Sequence, residues 1–240
     1  MLVCLACGVK SPFGTARCFA VLCCATDMLR RMLETIEWIH HDQALLVVNK
    51  PAGLLAVPGL GEAGRDCLSA RVQAQCADAL VVHRLDMATS GLMLFARGLA
   101  VQRLLSMAFE RRQVHKRYIA VVTGVVPADD GEINAPLITD WPQRPRQKVD
   151  AENGKASRTL WRVLARDVAA DCTRLEVQPI TGRTHQLRVH LLHIGHPIWG
   201  DALYTPPPWP APRLMLHASH LALQYPGSGQ ACQFNSAAPF

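Results

Sequence analysis

Apolar residues arrive in this chain in short bursts, separated by stretches rich in glycine, proline and charge. Residues 44–48 form one such burst, ending at Asn49-Lys50-Pro51-Ala52-Gly53, where proline removes a ladder donor and glycine permits a turn. That pattern predicts a buried strand running into a loop. Further bursts at 92–96, 118–122, 160–163 and 175–177 predict more strands. Helical spacing is rarer. A loop through Pro58, Gly59, Gly61 and Gly64 gives way to a plausible helix over 66–79. Val101, Leu104, Leu105 and Ala108 then share one helical face, with Arg103, Glu110 and Arg111 elsewhere around the turn. Over 184–194, Leu187, His190, Leu191 and Ile194 align, Thr184 is placed to cap, and Gly195 and Pro197 stop the helix. The segment 140–148 (DWPQRPRQK) is too rich in proline for regular structure and reads as an exposed loop. Pro206-Pro207-Pro208-Trp209-Pro210 reads as a stiff connector into the apolar stretch 213–223. Strands mixed irregularly with a few helices, and no internal repeat, predict an α+β fold.

Composition sharpens this in three ways. The chain has 240 residues, half of them apolar, which suits one substantial domain, expected over 34–240. Cysteine is concentrated at the start, with Cys4, Cys7, Cys18, Cys23 and Cys24 ahead of any convincing structural pattern. Residues 1–33 are therefore expected to be a disordered extension or a start-site artefact, with translation beginning at Met28 or Met32. Cys4-x-x-Cys7 lacks a second pair at matching spacing, so no zinc site is expected. The remaining cysteines are scattered, which predicts reduced thiols and a cytoplasmic protein, and no apolar run reaches the ~20 residues that span a bilayer. Finally, Lys and Arg exceed Asp and Glu by 25 to 19, a formal charge of +6 that suits a polyanionic partner.

The polar residues that could carry chemistry fall into a few clusters. Asp86 lies in His83-Arg84-Leu85-Asp86-Met87-Ala88-Thr89-Ser90-Gly91, directly before a predicted core strand. A carboxylate at a cleft edge calls for a cationic partner. Arg84 would alternate to the opposite side of an extended segment, so Arg183 is the better candidate. A structural salt bridge anchoring a turn accounts for this segment equally well. In Gly182-Arg183-Thr184-His185-Gln186-Leu187-Arg188, arginines, a histidine and an amide gather at a predicted helix start, which favours anions, although a solvated basic helix end has the same composition. His185, His190, His193 and His196 do not have metalloprotease spacing, and packing or RNA contact explains them better than metal. Tyr118, following Lys116 and Arg117, is either a ring for stacking an unpaired base or an ordinary strand tyrosine.

Taken in order, these segments resemble the RluA-type pseudouridine synthases. The similarity is carried by Val48-Asn49-Lys50-Pro51-x-Gly53-Leu54, the stretch from His83 to Asp86 with Thr89-Ser90-Gly91, Lys116-x-Tyr118, the stretch from Gly182 to Arg188, Gly195-His196-Pro197-Ile198-x-Gly200-Asp201 and Leu216-His217-Ala218. It covers residues 37–238. It implies a single catalytic domain on a mixed, largely antiparallel sheet, with flanking helices and a central RNA-binding cleft; the chain departs from many relatives in that the roughly 35 residues ahead of the similarity are too few for the separate small RNA-binding domain those relatives carry, so none is expected. It also implies Asp86 as the essential carboxylate, Arg183 as its ion-pair partner, Tyr118 as a stacking ring, Leu216 as an apolar wall, and Arg84 filling the place of a flipped-out base. The stretch from Leu137 to Pro142, continued through Arg144, Gln147 and Lys148, is similar to the branch that modifies both transfer RNA and large-subunit ribosomal RNA. That likeness implies uridine 32 of the anticodon loop and uridine 746 of 23S rRNA as targets, with tRNA and 23S rRNA as partners of a monomer. Read from the residues themselves, Arg111, Arg112, Arg144, Arg146, Lys148 and Arg188 are the expected phosphate contacts.

Pseudouridine formation detaches uracil from ribose through nitrogen and reattaches it through carbon, so nothing enters or leaves, and no cofactor or metal is expected. Asp86 would either attack the sugar carbon or remove a sugar proton; both remain open at this point. Rival readings are a non-catalytic RNA chaperone and a uracil-releasing hydrolase.

Overall fold

The computed structural model describes residues 36–240; the expectations for residues 1–33, including the Cys4-x-x-Cys7 pair, lie outside the described residues. In chain order the elements are β1 (Glu37–His41), β2 (Leu45–Lys50), α1 (Leu68–Gln75), β3 (Ala79–Val81), β4 (Ser90–Arg97), α2 (Gly98–Glu110), β5 (His115–Thr123), β6 (Asp130–Asn134), β7 (Leu137–Thr139), β8 (Gln147–Val149), β9 (Arg158–Asp167), β10 (Cys172–Pro179), α3 (Gln186–His193), β11 (Leu216–Gln224) and β12 (Ala231–Asn235). Ten strands form one sheet, in the order β1-β2-β4-β11-β5-β10-β9-β6, with β3 added to β4 and β12 to β11; β7 and β8 pair separately. All these pairings are antiparallel except β4 with β11. The fold is α+β on a mixed, largely antiparallel sheet, as the sequence predicts.

The exception positions the site. β4 and β11 pair as strands only where His217 faces Ser90 and Ala218 faces Gly91. Beyond that point they part: β4 takes β3 at residues 95–97, and β11 takes β12 at residues 220–224. The sheet therefore forks. Gly91 makes the junction possible, since it has φ +115 and a Cβ there would lie 2.4 Å from the Ala218 carbonyl oxygen. The loop 82–89, which carries Asp86, runs into β4 at this junction.

Packing explains the apolar bursts. Leu45 to Val48 are all fully buried, because α2 covers one face of β2 and β4 while α1 covers the other. A separate core lies under β5, β10, β11 and α3. Helix α1 is shorter than the predicted 66–79, and in α2 Leu104 faces outward at 45% exposed while Leu105 is buried. The segment 140–148 is more regular than its prolines predict. β7 and β8 form a hairpin around a 3-10 turn at Trp141–Gln143. Among the described residues no helix is long and apolar enough to cross a membrane.

Candidate active site

The loop carrying Asp86 is fastened from several sides by groups that leave its carboxylate free. Lys50, fully buried at the end of β2, donates to the carbonyls of Pro51 (2.9 Å), Leu54 (2.7 Å) and Met87 (3.0 Å). Gly53 donates its N–H to the same Met87 carbonyl at 2.8 Å, and the Thr89 N–H closes onto the Asp86 carbonyl at 3.1 Å. Burial pushes the Lys50 ammonium down to about 7, against the pull of Asp86. His83 fills the gap that the fork opens beside β4: its Nε2 accepts the Leu94 N–H at 2.9 Å, and its ring stacks on Phe109. Burial drives its pKa down to about 3, so the ring is neutral and free to accept. The sequence carried Lys50 and His83 only as parts of motifs, with no role assigned.

Behind the carboxylate stands Arg188, on the first turn of α3. Its Nε and Nη2 hold Asp201 at 2.8 and 2.6 Å, and its Nη1 reaches the Asp86 Oδ2 at 3.4 Å. Burial works against this guanidinium's charge, but Asp201 and Asp86 outweigh it and raise its pKa. The ion-pair partner of Asp86 is therefore Arg188, correcting the expectation of Arg183. Arg188 is also only 6% exposed, which corrects its reading as a phosphate contact. The cause is local. Thr184 does not cap α3; His185, at φ 53, occupies that position in the left-handed region, and the helix begins at Gln186. Arg183 is left outside the helix, exposed, with its Nε 3.5 Å from the Ala156 carbonyl and no ion pair to Asp86 among the described residues.

In front of the carboxylate lies a hollow of about 520 Å³ lined by Arg84, Asp86, Tyr118, Arg183, Arg188 and Leu216, among others. Tyr118 on β5 and Leu216 at the start of β11 are buried at 8% and 3% exposed, giving it a ring and an aliphatic floor. Burial, then the nearby Asp86, hold the Tyr118 phenol above its ordinary range, so it stays neutral. A second hollow of about 640 Å³, lined by Arg144, Gln147, Met87 and Leu203, shares Arg84, Asp86, His185 and Arg188 with the first. The exposed Arg84 thus stands on the partition between two chambers.

The remaining expected phosphate contacts differ in placement. Arg112 lines the first hollow and Arg144 the second, whereas Arg111 and Lys148 are exposed but line neither. Arg144 lies over the exposed Trp141 ring, 4.5 Å from its centroid. Arg146 is half-buried over Tyr204 and donates to the Gln143 amide oxygen, leaving it less available than its sequence setting predicts. Among the histidines, His190 uses both ring nitrogens, on Thr159 Oγ1 (2.8 Å) and the Ala135 carbonyl (2.9 Å). Among the described residues no cluster of His, Cys, Asp or Glu is arranged to hold a metal. Asp201 and Tyr204, which complete the wall behind Asp86, escaped the sequence reading. Asp201 stood in a recognised motif without a role, and Tyr204 gave no signal.

Residues 44–193 match the family model described as RNA pseudouridylate synthase. The chain is 46% identical over 204 residues to "Dual-specificity RNA pseudouridine synthase RluA" of Yersinia pestis, covering 84% of this chain and 98% of that protein. It is 45% identical over 205 residues to the protein of the same name from Escherichia coli strain K12, covering 84% and 93%. Among solved structures, human RNA Pseudouridylate Synthase Domain Containing 1 superposes with a TM-score of 0.75 at 26% identity, covering 87% of this chain and 85% of that one.

Proposed function

Because this chain belongs to the RNA pseudouridylate synthase family and isomerises uridine in RNA to pseudouridine, we propose that Asp86 is the carboxylate that meets the ribose of a flipped-out uridine. The observation that carries this reading is its position: Asp86 sits where the two hollows join, with Arg188 behind it and Tyr118 and Leu216 lining the chamber in front. An extruded uracil would lie between that ring and that aliphatic floor, with its sugar turned toward Asp86. Attack on the sugar carbon and removal of a sugar proton both begin from a carboxylate in this place. The detached base stays enclosed, turns, and bonds through carbon to the same sugar. Arg84, on the partition, occupies the space the base vacates and offsets the few kcal/mol that extrusion costs.

The substrates are stem-loops of transfer RNA and 23S rRNA, at the anticodon-loop and 23S uridines that the resemblance implies. The dual specificity for which the relatives are named supports this, as does the cationic hairpin of β7 and β8 beside the second hollow. Arg111, Arg112, Arg144 and Lys148 supply phosphate contacts to a cytoplasmic, monomeric enzyme.

The test is Asp86→Asn. It is expected to bind RNA while forming no pseudouridine in a tritium-release assay, and to leave both uridines unmodified when total RNA is mapped in cells that carry only this variant. A near-wild-type rate removes Asp86 from the mechanism. Free uracil in solution would instead indicate a hydrolase.

A further inference from the structure

His185 stands where a strained backbone, the candidate catalytic carboxylate and the substrate-side hairpin meet. Its φ of 53 and ψ of 17 place a non-glycine residue in the left-handed region, a conformation that costs on the order of 1 kcal/mol and tends to be kept where a side chain must be aimed. The ring is aimed in two directions. Nδ1 lies 2.8 Å from the Tyr204 hydroxyl, and Nε2 lies 3.9 Å from Asp86 Oδ2.

The hydrogen bonds around Tyr204 decide which nitrogen carries the proton. Its hydroxyl oxygen lies 2.8 Å from the backbone nitrogen of Gln147 on β8, and a backbone N–H can only donate. The phenol therefore accepts from Gln147. Its own proton, on a residue only 9% exposed, goes to the one remaining partner among the described residues, His185 Nδ1. Nδ1 is then an acceptor, and the proton of the neutral imidazole sits on Nε2, pointing at Asp86. Burial lowers the His185 pKa, Asp86 opposes the shift, and Arg188 adds to it, so the ring is neutral. The Tyr204 ring is itself fixed, with the Arg188 guanidinium 5.0 Å and the Arg146 guanidinium 5.5 Å from its centroid. The Arg146 Nε is buried without a hydrogen-bond partner among the described residues, so the hairpin side of this stack is not fully satisfied.

We propose that His185 is a positioning residue for Asp86, held in its Nε2–H tautomer by Tyr204, and that this chain ties the carboxylate's placement to the backbone of the β7–β8 hairpin. At 3.9 Å the Nε2–H falls short of a hydrogen bond, and a shift of about 1 Å would complete it. RNA pressing on the hairpin moves Gln147, and with it Tyr204 and the imidazole, so engagement of the stem-loop is read at the carboxylate. The proposal rests on the reading of Asp86 given above, and the experiment separates the two.

Asparagine and glutamine at position 185 divide the imidazole's functions: the asparagine amide oxygen reproduces the Nδ1 acceptor, and the glutamine amide nitrogen reproduces the Nε2 donor. In single-turnover assays on a tRNA stem-loop, His185→Asn is expected to slow pseudouridine formation roughly tenfold or more, with RNA affinity unchanged. His185→Gln should stay within about threefold of wild type. Tyr204→Phe should slow the wild type but add nothing in the His185→Asn background. Equal losses in the two variants, or additive losses in the double variant, overturn the proposal. A long-range proton–nitrogen spectrum of the wild-type protein decides it independently of folding in any variant: a protonated Nε2 and bare Nδ1 are expected, and a protonated Nδ1 overturns it. An active Asp86→Asn enzyme would remove Asp86 from the mechanism while leaving that spectrum unchanged.

Discussion

The two flanks of Asp86 are built on opposite principles. Behind it, Arg188, Asp201, His185 and Tyr204 are largely buried and bonded to one another at 2.6 to 2.8 Å. Around the mouth, Arg84, Arg112, Arg144 and Arg183 are exposed, and none has a carboxylate partner among the described residues. A buried pair fixes geometry without adding much net stability, whereas an unpaired surface cation is already in water and free to exchange its counterions for phosphate. The rear wall holds the carboxylate still, and the mouth recruits whatever polyanion arrives.

The largest expected effect comes from breaking the rear wall. Arg188→Met leaves Asp201, at 2% exposed, as an uncompensated charge, which should cost about 3–5 kcal/mol in denaturant unfolding. Replacing both members, Arg188→Met with Asp201→Leu, should recover most of that stability while turnover stays lost, because Asp86 still lacks its guanidinium. If the double variant regains activity along with stability, the rear wall has no catalytic part. At the mouth, Arg84→Ala should unfold like wild type yet slow single-turnover isomerisation about a hundredfold, the rate equivalent of the few kcal/mol it offsets on extrusion, with modest loss of binding. A wild-type single-turnover rate would take Arg84 out of base flipping.

The same contrast shows what the chain discloses before folding. Continuous apolar runs announced β2, β4 and β5 because those strands are covered on both faces or deeply buried, and burial is written in residue type. Asp86, Arg84, Tyr118 and Leu216 were legible as members of motifs, and the structure brings all of them to one hollow. The pairing was misread because it depends on handedness at a single residue. With Thr184 as the cap, Arg183 would stand at the helix mouth; with His185 left-handed, the helix starts later and Arg188 turns inward. Composition does not encode that choice. Tyr204 was invisible for a related reason, since its importance lies in two hydrogen bonds to residues far away in the chain.

Lys50 offers an intermediate test, on the seam between the two flanks. Its folded pKa of about 7 lies below the ordinary lysine value of 10.5, so between those limits the unfolded chain holds more protons than the folded one. Its contribution to stability should therefore rise with pH across that window, by about 1.4 kcal/mol per unit at most, and level off below about pH 6. Subtracting the unfolding free energies of Lys50→Met from those of wild type between pH 6 and pH 10 isolates this group. A difference that falls as pH rises would contradict the burial argument.

The smallest effect is the most selective between the two kinds of cation. Lys148 is exposed on the hairpin and forms no salt bridge among the described residues, with the charge of Asp150 acting on it from beyond bonding distance, whereas the exposed Arg158 is held by Glu132 through two bonds of 2.7 Å. A cation that meets RNA phosphate releases about one counterion, so Lys148→Ala should reduce the slope of log affinity against log salt by about 1, equally for every stem-loop tried. Arg158→Ala removes the same formal charge from the molecule, but its counter-charge is already supplied by Glu132, so the slope should not change. If both substitutions flatten the salt dependence alike, net charge alone governs RNA capture, and the distinction between paired and unpaired cations at the mouth has no bearing on binding.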